Sequence, residues 1–139
     1  MNIKIIQLQE HGDDRGMLVS LEKNKEIPFE IKRIYYLYCT KKNIRRGFHA
    51  HKKLQQILIC TSGSCKILMD DGLEKTIVEL STPTVGLFLN NDIWREMYDF
   101  SDNAVLLVLA SELYDESDYI RNYDDFLKYT RSKRGEKDE

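Results

Sequence analysis

Proline, glycine and histidine are scarce in this 139-residue chain, which contains 2, 7 and 3 of them respectively. The few prolines and glycines exclude a collagen-like fold, and 42% hydrophobic with 32% charged residues is typical of one globular domain and not of a disordered chain. No apolar run approaches the roughly 20 residues that a membrane helix needs, so we expect no membrane span. The amino terminus lacks a sustained signal-peptide apolar segment, and a cytoplasmic protein is therefore predicted.

An excess of positive charge is also missing, because 21 basic residues are set against 23 acidic ones and leave a formal net charge of −2. No overall positive field attracts nucleic acid or an anionic membrane, so neither is an expected partner. An anionic ligand must then be held by local cations. The three cysteines form no CxxC pair, and we predict that Cys39, Cys60 and Cys65 are buried, reduced thiols.

Short apolar or alternating segments recur about every ten residues, which indicates an all-β sandwich or barrel. Glycine in the turn segments 61–64 and 70–72 favours consecutive antiparallel strands through residues 55–75. The predicted strands are Ile3 to Leu8, Met17 to Leu21, Ile31 to Thr40, Gln55 to Cys60, Ser64 to Met69, Lys75 to Leu80, Gly86 to Leu89, Trp94 to Tyr98 and Ala104 to Ala110.

The pattern changes after Leu113. Capping residues between Asp115 and Asp118 precede apolar residues that recur at helical spacing from Tyr119 to Leu127, so one carboxy-terminal helix is predicted outside the sheets. We assign residues 1–130 to a single domain. Residues 131–139 are almost all charged and are expected to be a frayed tail.

The most informative segment runs from Arg45 to Gln56 and contains two of the three histidines. If a strand continues through it, residues two apart share one face. The side chains on that face are then His49, His51, Lys53 and Gln55, continued by Ile57 and Ile59. A face of this kind inside a barrel would pair the two imidazoles, with Gln55 beside them as a candidate for binding a substrate.

Gly47 followed by His-x-His, with Pro83-Thr84-Val85-Gly86 about thirty residues later, resembles the two-part cupin pattern, which implies a jelly roll. Metal-binding cupins place a carboxylate shortly after the second histidine and a further histidine in the second half. Here Gln55 and Gln56 stand at the carboxylate's positions, and residues 83–111 contain no histidine. We therefore predict no metal. Two inward imidazoles are candidates for proton transfer, and a hydrogen-bonded core pair is the alternative.

Several arginines interrupt apolar segments. Arg33 and Tyr35 share a strand face, and Arg95 follows Trp94 in an otherwise apolar strand, where a buried guanidinium needs a partner. Guanidinium groups match phosphate oxygens bidentately. Arg33, Arg46, Arg95 and Arg15 are accordingly candidates for framing a diphosphate, and surface or ion-paired arginines are the alternative.

Five separate blocks of this sequence, in the same order, resemble the dTDP-sugar 3,4-ketoisomerases of the WxcM-like, RmlC-like cupins. The likeness extends from about Ile3 to Phe126, and several ordered blocks are more specific than one motif. The blocks are Ile27 to Tyr36, Arg46 to Leu54, Val85 to Leu87, Trp94 to Met97 and Tyr114 to Arg121.

The resemblance implies a cupin-type double-stranded β-helix, or jelly roll, with one carboxy-terminal helix. It implies an intramolecular oxidoreductase that needs no cofactor and converts dTDP-4-oxo-6-deoxy-D-glucose to its 3-oxo isomer through an enediol. Such an enzyme acts upstream of an aminotransferase in making 3-amino-3,6-dideoxy sugars for surface glycans.

The resemblance also implies roles for individual residues. At matching positions His49 and His51 would shuttle protons, and Tyr35 would hydrogen-bond the developing enolate or donate a proton. Arg33 and Arg46 would grip the diphosphate. The family is further expected to form a homodimer with exchanged amino-terminal strands, through which Arg15 would reach a neighbour's site.

Three points remain open from sequence. Arg15 resembles enzymes that give the galacto product, whereas Arg95 resembles those that give the gluco product, so both configurations at C4 are retained. A dTDP-4-oxo-6-deoxy-hexose 3,5-epimerase is the nearest enzymatic alternative. A non-catalytic nucleotide-sugar-binding cupin is another, and the missing ligands disfavour a metal-dependent dioxygenase.

Overall fold

The computed structural model describes residues 1–135, and the elements below are those formed within that range. One turn of 3-10 helix spans Glu116–Asp118, and the helix α1 spans Tyr123–Lys133. The strands are β1 (Ile3–Gln7), β2 (Glu10–Asp13), β3 (Gly16–Val19), β4 (Arg33–Leu37), β5 (Arg46–His51), β6 (Gln56–Ser62), β7 (Cys65–Asp70), β8 (Lys75–Leu80), β9 (Val85–Leu89), β10 (Trp94–Tyr98), β11 (Val105–Ala110) and β12 (Tyr119–Ile120).

The strands form two five-stranded sheets, of order β1-β9-β6-β11-β4 and β12-β5-β10-β7-β8, and a separate β2–β3 hairpin. From β4 to β7 and from β9 to β11, successive strands alternate between the two sheets, which is the winding of a jelly roll. The predicted all-β, cupin-type fold with a carboxy-terminal helix is confirmed.

Apolar side chains from both sheets fill the space between them. Because alternate residues of a strand share a face, Leu58 and Cys60 of β6 meet Ile67 and Met69 of β7 there, and all four are buried. The outer face of the first sheet carries Ile57 and Ile59 under Leu8, Ile27 and Phe29. Our prediction that Ile57 and Ile59 continue the histidine face is therefore wrong, because the two groups lie in different sheets.

The link from β6 to β7 also differs from the prediction. Gly63 adopts the left-handed conformation at φ 70°, as a tight turn requires, but β6 and β7 then enter different sheets. Antiparallel pairing within residues 55–75 is limited to β7 and β8. Cys60 and Cys65 are buried, whereas Cys39 is exposed just beyond the end of β4.

The carboxy-terminal helix begins later than the capping residues predicted. Asn122 caps it, its Oδ1 accepting from the amide of Asp125 at 3.0 Å, while Tyr119 and Ile120 pair with β5 as a short strand. The buried Phe126 packs with Ala50 and Trp94 outside the second sheet. The helix continues to Lys133, and the end of the predicted tail, residues 136–139, lies outside the described residues. Among residues 1–135, no helix has the length and apolar character to cross a membrane.

Candidate active site

Polar side chains replace aliphatic ones at one end of the space between the sheets, where a cleft of about 440 Å³ opens to the surface. β4, β5 and the segment that contains β12 supply its walls. The polar residues that line it are Arg33, Tyr35, Arg46, His49, Tyr119 and Arg121.

The two histidines of β5 lie edge to face, with ring centroids 4.9 Å apart. His49 lines the cleft, whereas His51 lies deeper, only 1% exposed, and its ring is 4.4 Å from that of Tyr119. The sequence analysis placed both rings in the interior, and both are observed there. It is His49 that forms the cleft wall.

The partners of the histidines determine where each ring carries its proton. Nδ1 of His49 lies 3.0 Å from the carbonyl oxygen of Gly47, and Nδ1 of His51 lies 3.0 Å from Oδ2 of Asp118. Both partners can only accept when Asp118 is ionised, so each neutral ring donates from Nδ1. The lone pair of each ring therefore resides on Nε2, as a general base requires.

Both histidines are neutral at physiological pH. Burial, reinforced by the positive charge of Arg95, lowers the pKa of His49 to about 4. The same two causes, in the same order, lower the pKa of His51 as well. A neutral imidazole accepts a proton without first having to lose one.

We expect acid to inactivate the free enzyme near pH 4 rather than near pH 6.5. The value of kcat/KM should fall as His49, whose pKa is about 4, becomes protonated. The fold should begin to weaken at a higher pH, below about 6.5, because from there down to pH 4 the unfolded chain binds protons that the folded histidines do not. Urea denaturation from pH 7 to pH 4 should show a falling free energy of unfolding, and a profile flat below pH 6.5 would contradict this assignment.

Asp118 is a part of the site that sequence reasoning missed. Its Oδ1 accepts from the amide of Lys53 at 2.7 Å, and its Oδ2 accepts from the amide of Leu54 at 3.3 Å as well as from His51. β12 aligns with β5, pairing Tyr119 with His51, and so brings this carboxylate to the ring. Asp118 thus orients His51, a role different from the helix cap that the sequence predicted.

A β-bulge explains why Arg46 and His49 line the same cleft. Opposite β10, Arg95 pairs with His49 and Glu96 with Gly47, so Phe48 is an extra residue, held at φ 55°. Without it, positions 46 and 49 would face opposite sides of the sheet. Gly47 is required beside it, because a Cβ there would lie 2.9 Å from the carbonyl oxygen of Arg95.

Arg33 is the cation best prepared for an anionic ligand. Its Nε and Nη2 are buried with no hydrogen-bond partner among the described residues, and its guanidinium carbon lies 5.2 Å from the ring centroid of Tyr35. Buried donors left unpaired are costly, so a bound acceptor is expected. Arg121, also missed by the sequence analysis, is instead held by Glu116 in a bidentate pair at 2.7 and 2.9 Å.

Tyr35 is linked to Arg95 through Gln56, which the sequence analysis noted only at a carboxylate's position and did not count as a site residue. Nε2 of Gln56 donates to the Tyr35 hydroxyl at 2.8 Å, and Nη1 of Arg95 donates to Oε1 of Gln56. Arg95 is 2% exposed and also donates to the carbonyl oxygen of Ile93. Burial raises the pKa of Tyr35, so its phenol keeps its proton.

Three predicted substrate-binding residues lie apart from the cleft wall in this chain. Arg95 is satisfied behind it by neutral acceptors. Gln55 follows the end of β5 and donates to Oδ1 of Asn90 at 2.9 Å. Arg15, at the tip of the β2–β3 hairpin, pairs with Asp13 at 2.6 Å. Within residues 1–135, no three His, Cys, Asp or Glu side chains converge on a possible metal position, and the absence of a metal stays a prediction.

Comparisons with known proteins agree on one family. The family model described as FdtA: WxcM-like, C-terminal, matches residues 1–131. A TDP-4-oxo-6-deoxy-alpha-D-glucose-3,4-oxoisomerase of Aneurinibacillus thermoaerophilus is 52% identical over 129 residues, which are 93% of each chain. A mutant of the 3,4-ketoisomerase QdtA of Thermoanaerobacterium thermosaccharolyticum, solved with TDP-4-keto-6-deoxyglucose, is 47% identical with a TM-score of 0.92, covering 94% of this chain and 95% of QdtA. The TDP-quinovose 3,4-ketoisomerase WlaRB of Campylobacter jejuni is 53% identical with a TM-score of 0.88, covering 91% and 98%.

Proposed function

The chain belongs to the FdtA, WxcM-like family of sugar 3,4-ketoisomerases, and from that membership we propose that it converts dTDP-4-oxo-6-deoxy-D-glucose to the 3-oxo isomer. The observation that carries the proposal is the pairing of a neutral base, His49, with a protonated phenol, Tyr35, on the wall of one cleft. Those two groups are what moving a carbonyl along a sugar ring needs. The expected biological role is the biosynthesis of 3-amino-3,6-dideoxy sugars.

The reaction begins when Nε2 of His49 takes the acidic proton from C3. Tyr35 donates a hydrogen bond or its proton to the oxygen on C4, where negative charge develops, and an enediol results. A proton then returns to C4 while the C3 hydroxyl releases its own, which leaves the carbonyl at C3. Electrons move only within the substrate, so the reaction needs no redox cofactor. His51, held by Asp118, is close enough to His49 to take part in the proton shuttle.

The diphosphate is held by guanidinium groups at the mouth of the cleft. Arg33, whose buried Nε and Nη2 have no hydrogen-bond partner among the described residues, lines the same cleft as the exposed Arg46. A guanidinium binds a phosphate through two parallel hydrogen bonds, which fixes the direction of the ligand as well as its place. This grip orients the sugar towards His49.

A homodimer with exchanged amino-terminal strands completes the proposal. The β2–β3 hairpin lies outside both sheets and exposes 59% of both Met17 and Leu18. β4 is an edge strand whose outward Ile34 and Tyr36 are 58% and 60% exposed, so it can accept a strand from a second copy. Such an exchange would carry Arg15 towards the partner's cleft. Light scattering should then give twice the monomer mass of 16.4 kDa.

We also propose a cytoplasmic location. Cys60 and Cys65 are buried free thiols, as is usual in a reducing compartment.

The test is an NMR spectrum of the product formed from dTDP-4-oxo-6-deoxy-D-glucose in deuterium oxide. Isomerisation moves the carbonyl signal to C3, which then carries no hydrogen, and places deuterium at C4 of the product. A 3,5-epimerase would place deuterium at C5, and a non-catalytic binding protein would leave the substrate unchanged. Reduction or 3-amination of the product fixes the configuration at C4, which distinguishes the gluco and galacto products.

A further inference from the structure

We infer that Gln56 is a positioning residue that fixes the Tyr35 hydroxyl as a hydrogen-bond donor towards the cleft. The inference rests on the proposed function and adds a residue to its acid–base machinery. It follows from a chain of three buried or half-buried side chains, Arg95, Gln56 and Tyr35, in which each member has a fixed capacity to donate or accept.

The direction of the chain is determined at Arg95. A guanidinium has donors and no acceptor, so the atom of Gln56 that faces Nη1 of Arg95 must be the amide oxygen. Arg95 cannot turn away easily, because its Nε and Nη2 donate to the carbonyl oxygen of Ile93 at 3.2 and 2.9 Å. The orientation of the amide is therefore fixed by a neighbouring buried cation, and not by chance.

The orientation of the Gln56 amide in turn fixes the hydroxyl of Tyr35. With its oxygen turned to Arg95, Gln56 presents its NH₂ group, a donor only, to the hydroxyl oxygen of Tyr35 at 2.8 Å. That oxygen must accept, so the hydroxyl hydrogen of Tyr35 points in another direction. Because Tyr35 lines the cleft, this hydrogen is available to an oxygen of the substrate.

The base and the acid of the reaction are thus distinguished before substrate binds. His49 presents a lone pair and Tyr35 presents a hydrogen, and each is held so by a neighbour of fixed polarity. A base and an acid that cannot exchange roles take the proton from one carbon and stabilise the oxygen on the next. Gln56 touches neither of these two substrate atoms, and acts on the reaction through Tyr35.

The test is the activity and stability of Gln56→Glu compared with Gln56→Met. A carboxylate accepts from both neighbours, so it keeps the contact with Arg95 but turns the Tyr35 hydrogen away from the cleft. We expect kcat to fall about 100-fold with KM changed less than about threefold. Methionine loses both hydrogen bonds yet leaves the hydroxyl free to turn, so its kcat should fall only about tenfold.

The expected order of stability is the opposite. Gln56→Glu gives the buried Arg95 an anionic partner and should melt no lower than wild type, whereas Gln56→Met should melt lower. If Gln56 had only a structural role, Gln56→Met, which melts lower, would also be the less active of the two variants. Equal activity of Gln56→Glu and wild type would overturn the inference, and so would failure of that variant to fold, because the site must accept a carboxylate.

A double variant separates action through Tyr35 from any other effect. Gln56→Glu combined with Tyr35→Phe should be as active as Tyr35→Phe alone, within about twofold, because the hydroxyl that Gln56 directs is already gone. Multiplied losses would overturn the inference. Gln7→Glu, the same change at an exposed position of β1, controls for added charge. An inactive wild type would overturn the proposed function, whereas an active wild type equalled by Gln56→Glu would overturn the role of Gln56 alone.

Discussion

Replacing His49 with asparagine should reduce kcat about 1,000-fold while leaving the protein folded. The variant loses the Nε2 lone pair that faces the cleft and keeps a side chain able to hydrogen-bond the Gly47 carbonyl. KM should change little, because in the proposed complex arginines, and not His49, bind the diphosphate. Initial rates followed by NMR, together with a melting curve, measure both quantities.

The other two histidines provide the comparison for that result. His11→Asn, on the exposed β2–β3 hairpin, should keep wild-type activity. His51→Asn should lose less activity than His49→Asn but more stability, because it disrupts the buried pair with Asp118. A His49→Asn enzyme with more than a tenth of wild-type kcat would show that another group removes the C3 proton.

Replacing Arg33 with methionine should weaken substrate binding and strengthen the fold. Two guanidinium nitrogens of Arg33 are buried without a partner among the described residues, so removing them also removes the desolvation free energy that they cost the fold. Loss of the two charge-assisted bonds proposed between Arg33 and the diphosphate should raise KM, and the Kd for dTDP, by about 100- to 1,000-fold. The melting temperature should stay the same or rise.

Arg45→Met is the matched control for Arg33→Met. Arg45 is already engaged, by Glu96 at 3.0 Å and by the ring of Tyr98 at 3.9 Å. Its loss should lower the melting temperature slightly and leave the affinity for dTDP unchanged. Calorimetric titration with dTDP decides between the two patterns, and an Arg33→Met variant that binds dTDP as tightly as wild type would remove Arg33 from the diphosphate site.

The parts of the site that were predicted from sequence depend on strand alternation. Arg33 and Tyr35 share an inward face of β4, as residues two apart in a strand must, and His49 and His51 do the same on β5. Strand alternation assigns residues to the correct face only while the strand is unbroken. At residues 52–55 the chain turns and crosses to the other sheet. Counting every second residue from His49 therefore led to Gln55, whereas Gln56 is the glutamine that faces Tyr35.

Other parts had no local signal. Asp118 reaches His51 from 67 positions away, and only the pairing of β12 with β5 brings them together. Its neighbours in sequence are acidic and polar, a composition that also serves as a helix cap, and this is how we interpreted it. Long-range pairing of a two-residue strand is beyond what periodicity can indicate.

The one-residue bulge at Phe48 makes the length of β5 as important as its composition. Phe48 touches none of the chemistry, and its side chain is 45% exposed, yet it sets the phase of every residue before it relative to the histidines. Deleting that single codon would leave the strand's hydrogen bonding nearly ideal and turn Arg46 to the opposite side. Among related sequences, an alignment gap at this position would therefore indicate a differently built ligand-binding site, even where every catalytic residue is retained.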